Sequence, residues 1–239
     1  MAPILELVGV RAGYGGGDIL QGVDLNVDEG SLTCIVGPNG AGKSTVLRVI
    51  SGLLRPSAGS VRFRGDSLAG RSPREILARG IVHVPQERSL FPTMSVWENV
   101  RLGAFSVHDR RLVERRLATV CEMFPMVAER RREPAASLSG GQQKIVEFAR
   151  ALMLDPTLLI LDEPSMGLDP KTRTLVFNTV RDMNQSGRTL LLVEQNARSG
   201  LGIASRGVVM ESGRVRLEGP GPEVLNNPEI GRLYLGATA

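Results

Sequence analysis

The stretch Gly37 to Thr45 reads GPNGAGKST, with an apolar run, Leu32 to Val36, before it and a helical pattern, Val46 to Leu54, after it. Glycine, lysine and hydroxyl residues at this spacing, G-x-x-x-x-G-K-[ST] between a strand and a helix, are suited to holding a polyphosphate. The loop of Gly37, Pro38, Asn39, Gly40, Ala41 and Gly42 can curl its backbone N–H groups toward phosphate oxygens, and the helix start at Lys43, Ser44 and Thr45 adds positive potential. Lys43 then supplies a point charge to the β and γ phosphates, and the Ser44 hydroxyl is placed to coordinate Mg2+. An ordinary glycine turn would have no use for Lys43.

Two further stretches carry chemistry. Leu158 to Pro170 reads LLILDEPSMGLDP, in which an apolar run pushes Asp162 and Glu163 out at the carboxyl end of a strand, where open α/β sheets place their ligands. Asp162 fits the Mg2+ site, and Glu163 fits the group that orients or deprotonates an attacking water. Leu138 to Lys144 reads LSGGQQK before a second helical pattern. There Ser139, Gly140, Gly141 and Gln142 form a helix start with bare backbone donors, which is a second anion site in one chain, although Ser139 also reads as a plain N-cap.

These residues need a scaffold that brings strand ends together. Strand patterns run over Ile4–Val10, Leu32–Val36, Val61–Phe63, Gly80–Val84, Thr157–Leu161, Thr189–Val193, Gly207–Met210 and Arg214–Leu217. Helical patterns begin near Gly42, Pro73, Ser95, Asp109, Ser139, Pro170, Asn196 and Pro220. Runs such as TLLIL and TLLLV are apolar at every position, as strands buried on both faces of a parallel sheet read, so the expected class is α/β. Between about residues 86 and 150 helical patterns follow one another without convincing strands, which predicts an inserted helical lobe. The glycine-punctuated early part predicts an antiparallel β edge.

Composition sets outer bounds. The 239 residues suffice for one large domain, and 42% apolar with 23% charged residues is ordinary globular composition. No apolar run is long enough to span a membrane, and the N-terminus lacks the pattern of a secretory signal, so a cytosolic chain is expected. Cys34 and Cys121 fit no metal spacing and read as two buried reduced thiols. The net charge of +4 is mostly arginine, grouped at Arg110, Arg111, Arg115 and Arg116 and again at Arg130 to Arg132. The apolar residues between them keep helical spacing, so this is a solvated helix face. Aromatics are too few for a base-stacking surface, and no nucleic-acid partner is expected.

Phosphate loop, LSGGQ and LDEP, with Gln86 in VPQE between the first two, resemble the ATP-binding subunits of ABC transporters over essentially the whole chain. The resemblance implies a P-loop NTPase core of mainly parallel sheet, RecA-like over 1–85 and 151–239, with a helical subdomain at about 86–150. It implies ATP and Mg2+ as ligands, Tyr14 stacked on adenine, and Gln86 in contact with Mg2+ and the water. Ser139 to Gln142 would bind the γ-phosphate of ATP held by another subunit, so the active form would be a homodimer or a heterodimer with a sister ATPase. Asp169 would lie where the protomers touch. Transmembrane permease subunits, contacted through the lobe from Gln86 to about Arg132 with Phe91, Pro92 and Trp97 as candidate apolar anchors, Trp97 reading equally as lobe core, and indirectly a periplasmic solute-binding protein complete the implied assembly at the cytoplasmic face of the inner membrane.

Gln195 ends the strand TLLLV where most of that family carries a histidine. A glutamine amide can donate a hydrogen bond to phosphate but cannot carry the positive charge of imidazole, so Glu163 is read as the base and Gln195 as a positioning group. VEQNA, the FPTMSVWENV segment and the closing LYLG are similar to the second ATPase of branched-chain amino acid importers, the LivF type. VPQE resembles instead the lipopolysaccharide-export ATPase, which keeps the histidine. A non-transport ABC ATPase would show tandem cassettes or coiled-coil arms, and neither is evident in the sequence.

Overall fold

The protein is described by a computed structural model covering residues 3–87 and 89–230. Its centre is a six-stranded sheet in the order β10-β9-β3-β8-β7-β6, built from β3 (Leu32–Val36), β6 (Ile81–Val84), β7 (Leu158–Asp162), β8 (Thr189–Glu194), β9 (Arg206–Glu211) and β10 (Arg214–Pro220). All neighbours are parallel except β9 and β10. The unbroken apolar runs have a direct cause in this arrangement. Leu158 and Ile160 of β7 enter the core on one face of the sheet, Leu159 and Leu161 the core on the other, and β8 divides in the same way. Truncating any of these leucines to alanine would cost about 2–5 kcal/mol.

The expected antiparallel edge is a sheet of its own. β1 (Leu5–Gly13), β2 (Asp18–Val27), β4 (Ala58–Phe63) and β5 (Asp66–Ser67) form a four-stranded antiparallel sheet in the order β2-β1-β4-β5. It packs with α1 (Lys43–Ile50) and α2 (Pro73–Ala78) over one face of the central sheet. No sequence pattern marked β2, because its buried residues are Leu20, Val23, Leu25 and Val27. The step between Leu20 and Val23 breaks the period of two at Gly22, which has φ 86°, and the strand pairing is irregular nearby. With two residues, β5 is too short to show any period.

Over the other face lie α3 (Val96–Leu102), α4 (Arg110–Met123), α5 (Pro125–Glu129), a 3-10 turn at Ala135–Ser137, α6 (Gly140–Leu152) and α7 (Pro170–Gln185), with α8 (Ala197–Leu201) and α9 (Gly221–Leu225) at the β9 end. Among the described residues no strand intervenes between β6 and β7; a single bridge joins Ser95 to Pro134. Helix starts follow capping chemistry: Ser72, Ser95 and Ser139 each cap through a reciprocal box with Glu75, Glu98 and Gln142. Helix α4 buries Leu117 and Val120 and exposes Arg110, Arg111 and Arg115. Both cysteines are free; Cys34 is buried as expected, but Cys121 is only half-buried, because it lies at the edge of the α4 apolar stripe. The LYLG segment, 233–236, lies outside the described residues.

Candidate functional site

The glycine loop turns from β3 into α1 with Gly42 at the N-cap, φ 99°, and no side-chain cap, so the first-turn N–H groups stay free of internal partners. Gly37 must lack a side chain for a different reason, since a Cβ there would sit 2.4 Å from the Met210 carbonyl oxygen. Lys43 is 5% exposed. Its ammonium donates to the carbonyls of Gly37 at 2.8 Å and Pro38 at 3.2 Å and lies 3.5 Å from Glu163 Oε1. A buried lysine held this way is a fixed positive charge at the mouth of a ring of backbone donors.

The neighbouring strands deliver the acids to that charge. Asp162 ends β7 and Glu163 follows it with φ 42°, a left-handed conformation that a non-glycine residue adopts only when its surroundings fix it. Glu163 N–H donates to the Val193 carbonyl of β8 at 2.9 Å. Burial, then the charge of Glu163, pushes the Asp162 carboxyl up to about 6, against a hydrogen bond from Ser44 that lowers it. Asp162 Oδ1 is buried without a hydrogen-bond partner beside that hydroxyl. A hydroxyl and an unsatisfied carboxylate oxygen are the hard oxygen donors that Mg2+ takes, and they fit it. No group of three or more His, Cys, Asp or Glu among the described residues could hold a metal alone, so the other ligands would come from phosphate and water.

Two cavities flank this acid pair. One, about 730 Å³, is lined by Ser44, Arg48, Gln86, Asp162, Leu53 and Phe105 among others. The second, about 770 Å³, is lined by Glu163, Ser165, Met166, Glu194, Gln195 and Arg173 among others. The Gln86 amide meets the Met166 sulfur at 2.7 Å, across the loop that follows Glu163. Thus the carboxyl ends of β3, β6, β7 and β8 bring Lys43, Ser44, Gln86, Asp162, Glu163 and Gln195 to one end of the sheet.

Other expected residues lie apart. Neither cavity is lined by Ser139, Gly140, Gly141 or Gln142. Ser139 Oγ accepts from Gln142 N–H and Gln142 Oε1 from Ser139 N–H, so both side chains serve the local cap of α6. Gly141 is fixed by packing, because a Cβ would lie 2.2 Å from Thr172 Cγ2 on α7. Tyr14 is 52% exposed and joins the phosphate helix through Arg48, whose guanidinium lies 5.6 Å from the ring centroid and donates to the Tyr14 hydroxyl at 3.1 Å. Asp169 caps α7, its Oδ1 accepting from Lys171 and Thr172. Phe91 and Pro92 are exposed, whereas Trp97 packs on the lobe core beneath Arg131, 4.8 Å away.

Two features escaped the sequence reading. Glu194 is 2% exposed and accepts from Ser165 N–H at 3.2 Å and Ser165 Oγ at 3.0 Å. Burial pushes its carboxyl up to about 7, against the Ser165 bonds that lower it. On α6, Lys144 and Glu147 pair at 2.5 Å, and Glu147 accepts from Ser89 N–H at 2.6 Å and its hydroxyl at 3.0 Å. Arg150 donates to the Ser89 carbonyl at 2.7 Å and also to its hydroxyl. Charged residues at i, i+3 and i+6 on a half-buried helix signal such a clamp, but its partner is 58 residues from Glu147 in sequence.

A sequence profile described as ABC transporter matches residues 20–166. The chain belongs to the ABC transporter ATP-binding family. It is 37% identical to the high-affinity branched-chain amino acid transport ATP-binding protein BraG of Pseudomonas aeruginosa, over 93% of this chain and 95% of that one. To the probable branched-chain amino acid transport ATP-binding protein LivF of Archaeoglobus fulgidus it is 33% identical over 98% and 99%. To the Nod factor export ATP-binding protein I of Cupriavidus pinatubonensis it is 36% identical over 97% and 70%. Among solved structures, the ADP conformation of an ATP-binding cassette of an ABC transporter superposes with a TM-score of 0.89 at 30% identity, covering 99% of this chain and all of that one. A dimeric post-hydrolysis cassette bound to ADP and Pi gives 0.77 at 28%, covering 90% and 98%. The fold is thus that of an ABC ATPase with a P-loop core.

Proposed function

We propose that this ABC ATPase hydrolyses MgATP between two cassettes and powers a membrane importer of branched-chain amino acids or a related small polar solute. The observation that carries the reading is the convergence of Lys43, Asp162, Glu163, Gln86 and Gln195 at the carboxyl ends of adjacent strands.

Lys43 and the N–H groups from Gly40 to Thr45 hold the β and γ phosphates, and Tyr14 stacks on the adenine, with Arg48 fixing its ring. Ser44, Asp162 and Gln86 would hold Mg2+, which when bound would neutralise phosphate charge. Glu163 orients and deprotonates the water that attacks the γ-phosphate in line, and Lys43 at 3.5 Å helps to fix its carboxylate in place. Gln195 donates a hydrogen bond to the γ-phosphate without adding charge.

Ser139 to Gln142 stand outside both cavities, which supports their use on ATP bound by a second, identical or sister subunit related by two-fold or pseudo-two-fold symmetry. Asp169 would then lie at the junction. We take 1–85 and 151–239 as the RecA-like core and about 86–150 as the helical subdomain. Exposed Leu53 and Phe105, which line the Gln86 cavity, Leu102 of a second cavity that shares Phe105, and exposed Phe91 of the lobe offer apolar surface to permease subunits, which a periplasmic binding protein would supply with solute. None of the described helices is long and apolar enough to cross a membrane, so attachment to the inner membrane's cytoplasmic face would run through the permease. Relatives named for branched-chain amino acid transport at near full length support the solute class over export.

Phosphate release by the purified chain with MgATP tests the reading. Lys43→Ala should abolish ATP binding. Glu163→Gln should lower turnover by about a hundredfold or more while trapping ATP in a dimer that survives size-exclusion chromatography. A Glu163→Gln protein that stays monomeric with ATP and hydrolyses at the wild-type rate refutes the assigned role.

A further inference from the structure

Glu194 closes β8 one residue before Gln195, yet neither phosphate nor water needs it in the reaction above. Its two carboxylate oxygens are taken by one residue, Ser165, through N–H at 3.2 Å and hydroxyl at 3.0 Å. Both ends of this contact are buried, Glu194 at 2% and Ser165 at 5% exposure. A third bond, from Glu163 N–H to the Val193 carbonyl at 2.9 Å, ties the same turn to the same strand. The segment from Glu163 to Ser165 is therefore stitched at both ends to Val193 and Glu194, with Pro164 fixing φ in between. That stitching is what holds Glu163 at φ 42°.

The surroundings are shaped for the carboxylate. Gly200 of α8 leaves it room, since a Cβ there would lie 3.2 Å from Glu194 Cβ and 2.6 Å from Cys34 Sγ. Ser165 offers an N–H and a hydroxyl, and the carboxylate accepts from both; a glutamine could accept from only one and would have to donate its NH2 to the hydroxyl oxygen, reversing that bond. The same contact lines the cavity that holds Glu163 and Gln195.

We propose that Glu194 is a positioning residue for ATP hydrolysis, acting through Ser165 to aim the Glu163 carboxylate at the attacking water. The proposal rests on the reading that Glu163 activates that water. It assigns Glu194 no contact with ATP. Losing Glu194 should therefore impair turnover and spare ATP affinity.

The test compares wild type, Glu194→Gln, Ser165→Ala and the double variant in steady-state MgATP hydrolysis, with ATP affinity and melting temperature measured on each. Misplacing a catalytic group without removing it should cost Glu194→Gln about tenfold or more in kcat with KM for ATP within about threefold. Ser165→Ala, which keeps the N–H bond, should lose about threefold, and the double variant should fall no lower than Glu194→Gln alone, because both remove one contact. A kcat within twofold of wild type for Glu194→Gln, or a loss in the double variant equal to the product of the single losses, overturns the proposal. Were Glu194→Gln to misfold, Ser165→Ala decides the matter: an unchanged kcat overturns it. A wild-type protein that binds ATP and releases no phosphate would instead sink the hydrolase reading itself.

Discussion

Lys43 and Glu163 form a buried ion pair at 3.5 Å in a site that holds two more carboxylates, Asp162 and Glu194, both pushed upward by burial and by the charge of Glu163. The protein thus places more negative charge at the strand ends than its own cation balances. For Glu194 the consequence is a stability that depends on pH. Its folded value of about 7 exceeds the ordinary 4.5, so between these values the native chain keeps a proton that the unfolded chain has released. The Glu194 contribution to stability should fall as pH rises through that window, by about 3 kcal/mol, and level off above it; Asp162, raised to about 6, adds to the fall, and His83, lowered to about 4 by burial, opposes it. Denaturant unfolding of the nucleotide-free wild type and Glu194→Gln at pH 5 and pH 7.5 checks this: the stability of wild type relative to the variant should be lower at pH 7.5 than at pH 5. Gln195 makes a separate case. Gln195→Ala should lower turnover about tenfold with ATP affinity nearly intact, as befits a hydrogen bond strengthened only in the transition state; unchanged turnover would show it to be a polar strand end. The residue types of Lys43, Ser44, Asp162 and Glu163 were readable from spacing because each is fixed by its neighbours in sequence. Glu194 was not, since its meaning comes from Ser165, 29 positions away.

Strands β3, β7 and β8 were legible at nearly their true limits because burial on both faces selects a mostly apolar run, with polar residues such as Thr33, Asp162, Thr189 and Glu194 confined to a few positions. β2 was not, because Gly22 interrupts its alternation. α5 was lost between two longer patterns, a single turn started by Pro125. The turn from β3 to α1 shows how tightly an element can constrain a loop. Gly37→Ala would bring a methyl to 2.4 Å from the Met210 carbonyl on β9, and backbone on both sides would have to move. The expected cost is about 1–3 kcal/mol of stability, read as a lower melting temperature, together with weaker ATP binding as the loop is pushed from its strand. Retained affinity and an unchanged melting temperature would mean that β9 yields more readily than a packed sheet should.

The whole chain combines a sheet whose carboxyl end collects Lys43, Asp162 and Glu163 with a set of helices that carries the capped turn from Ser139 to Gln142 outside both cavities. The sequence motifs marked both turns. They left hidden how the two are joined, because the joint is a side-chain clamp between α6 and the segment after Gln86. Glu147 and Arg150 grip Ser89 through its amide, hydroxyl and carbonyl, and Lys144 pairs with Glu147. The Ser89 amide hydrogen points at a carboxylate that is almost wholly excluded from solvent, so it can trade for deuterium only when this latch lets go. Its exchange rate should therefore track that of mid-helix amides in α6 rather than that of surface turns, and Glu147→Gln should speed the two together.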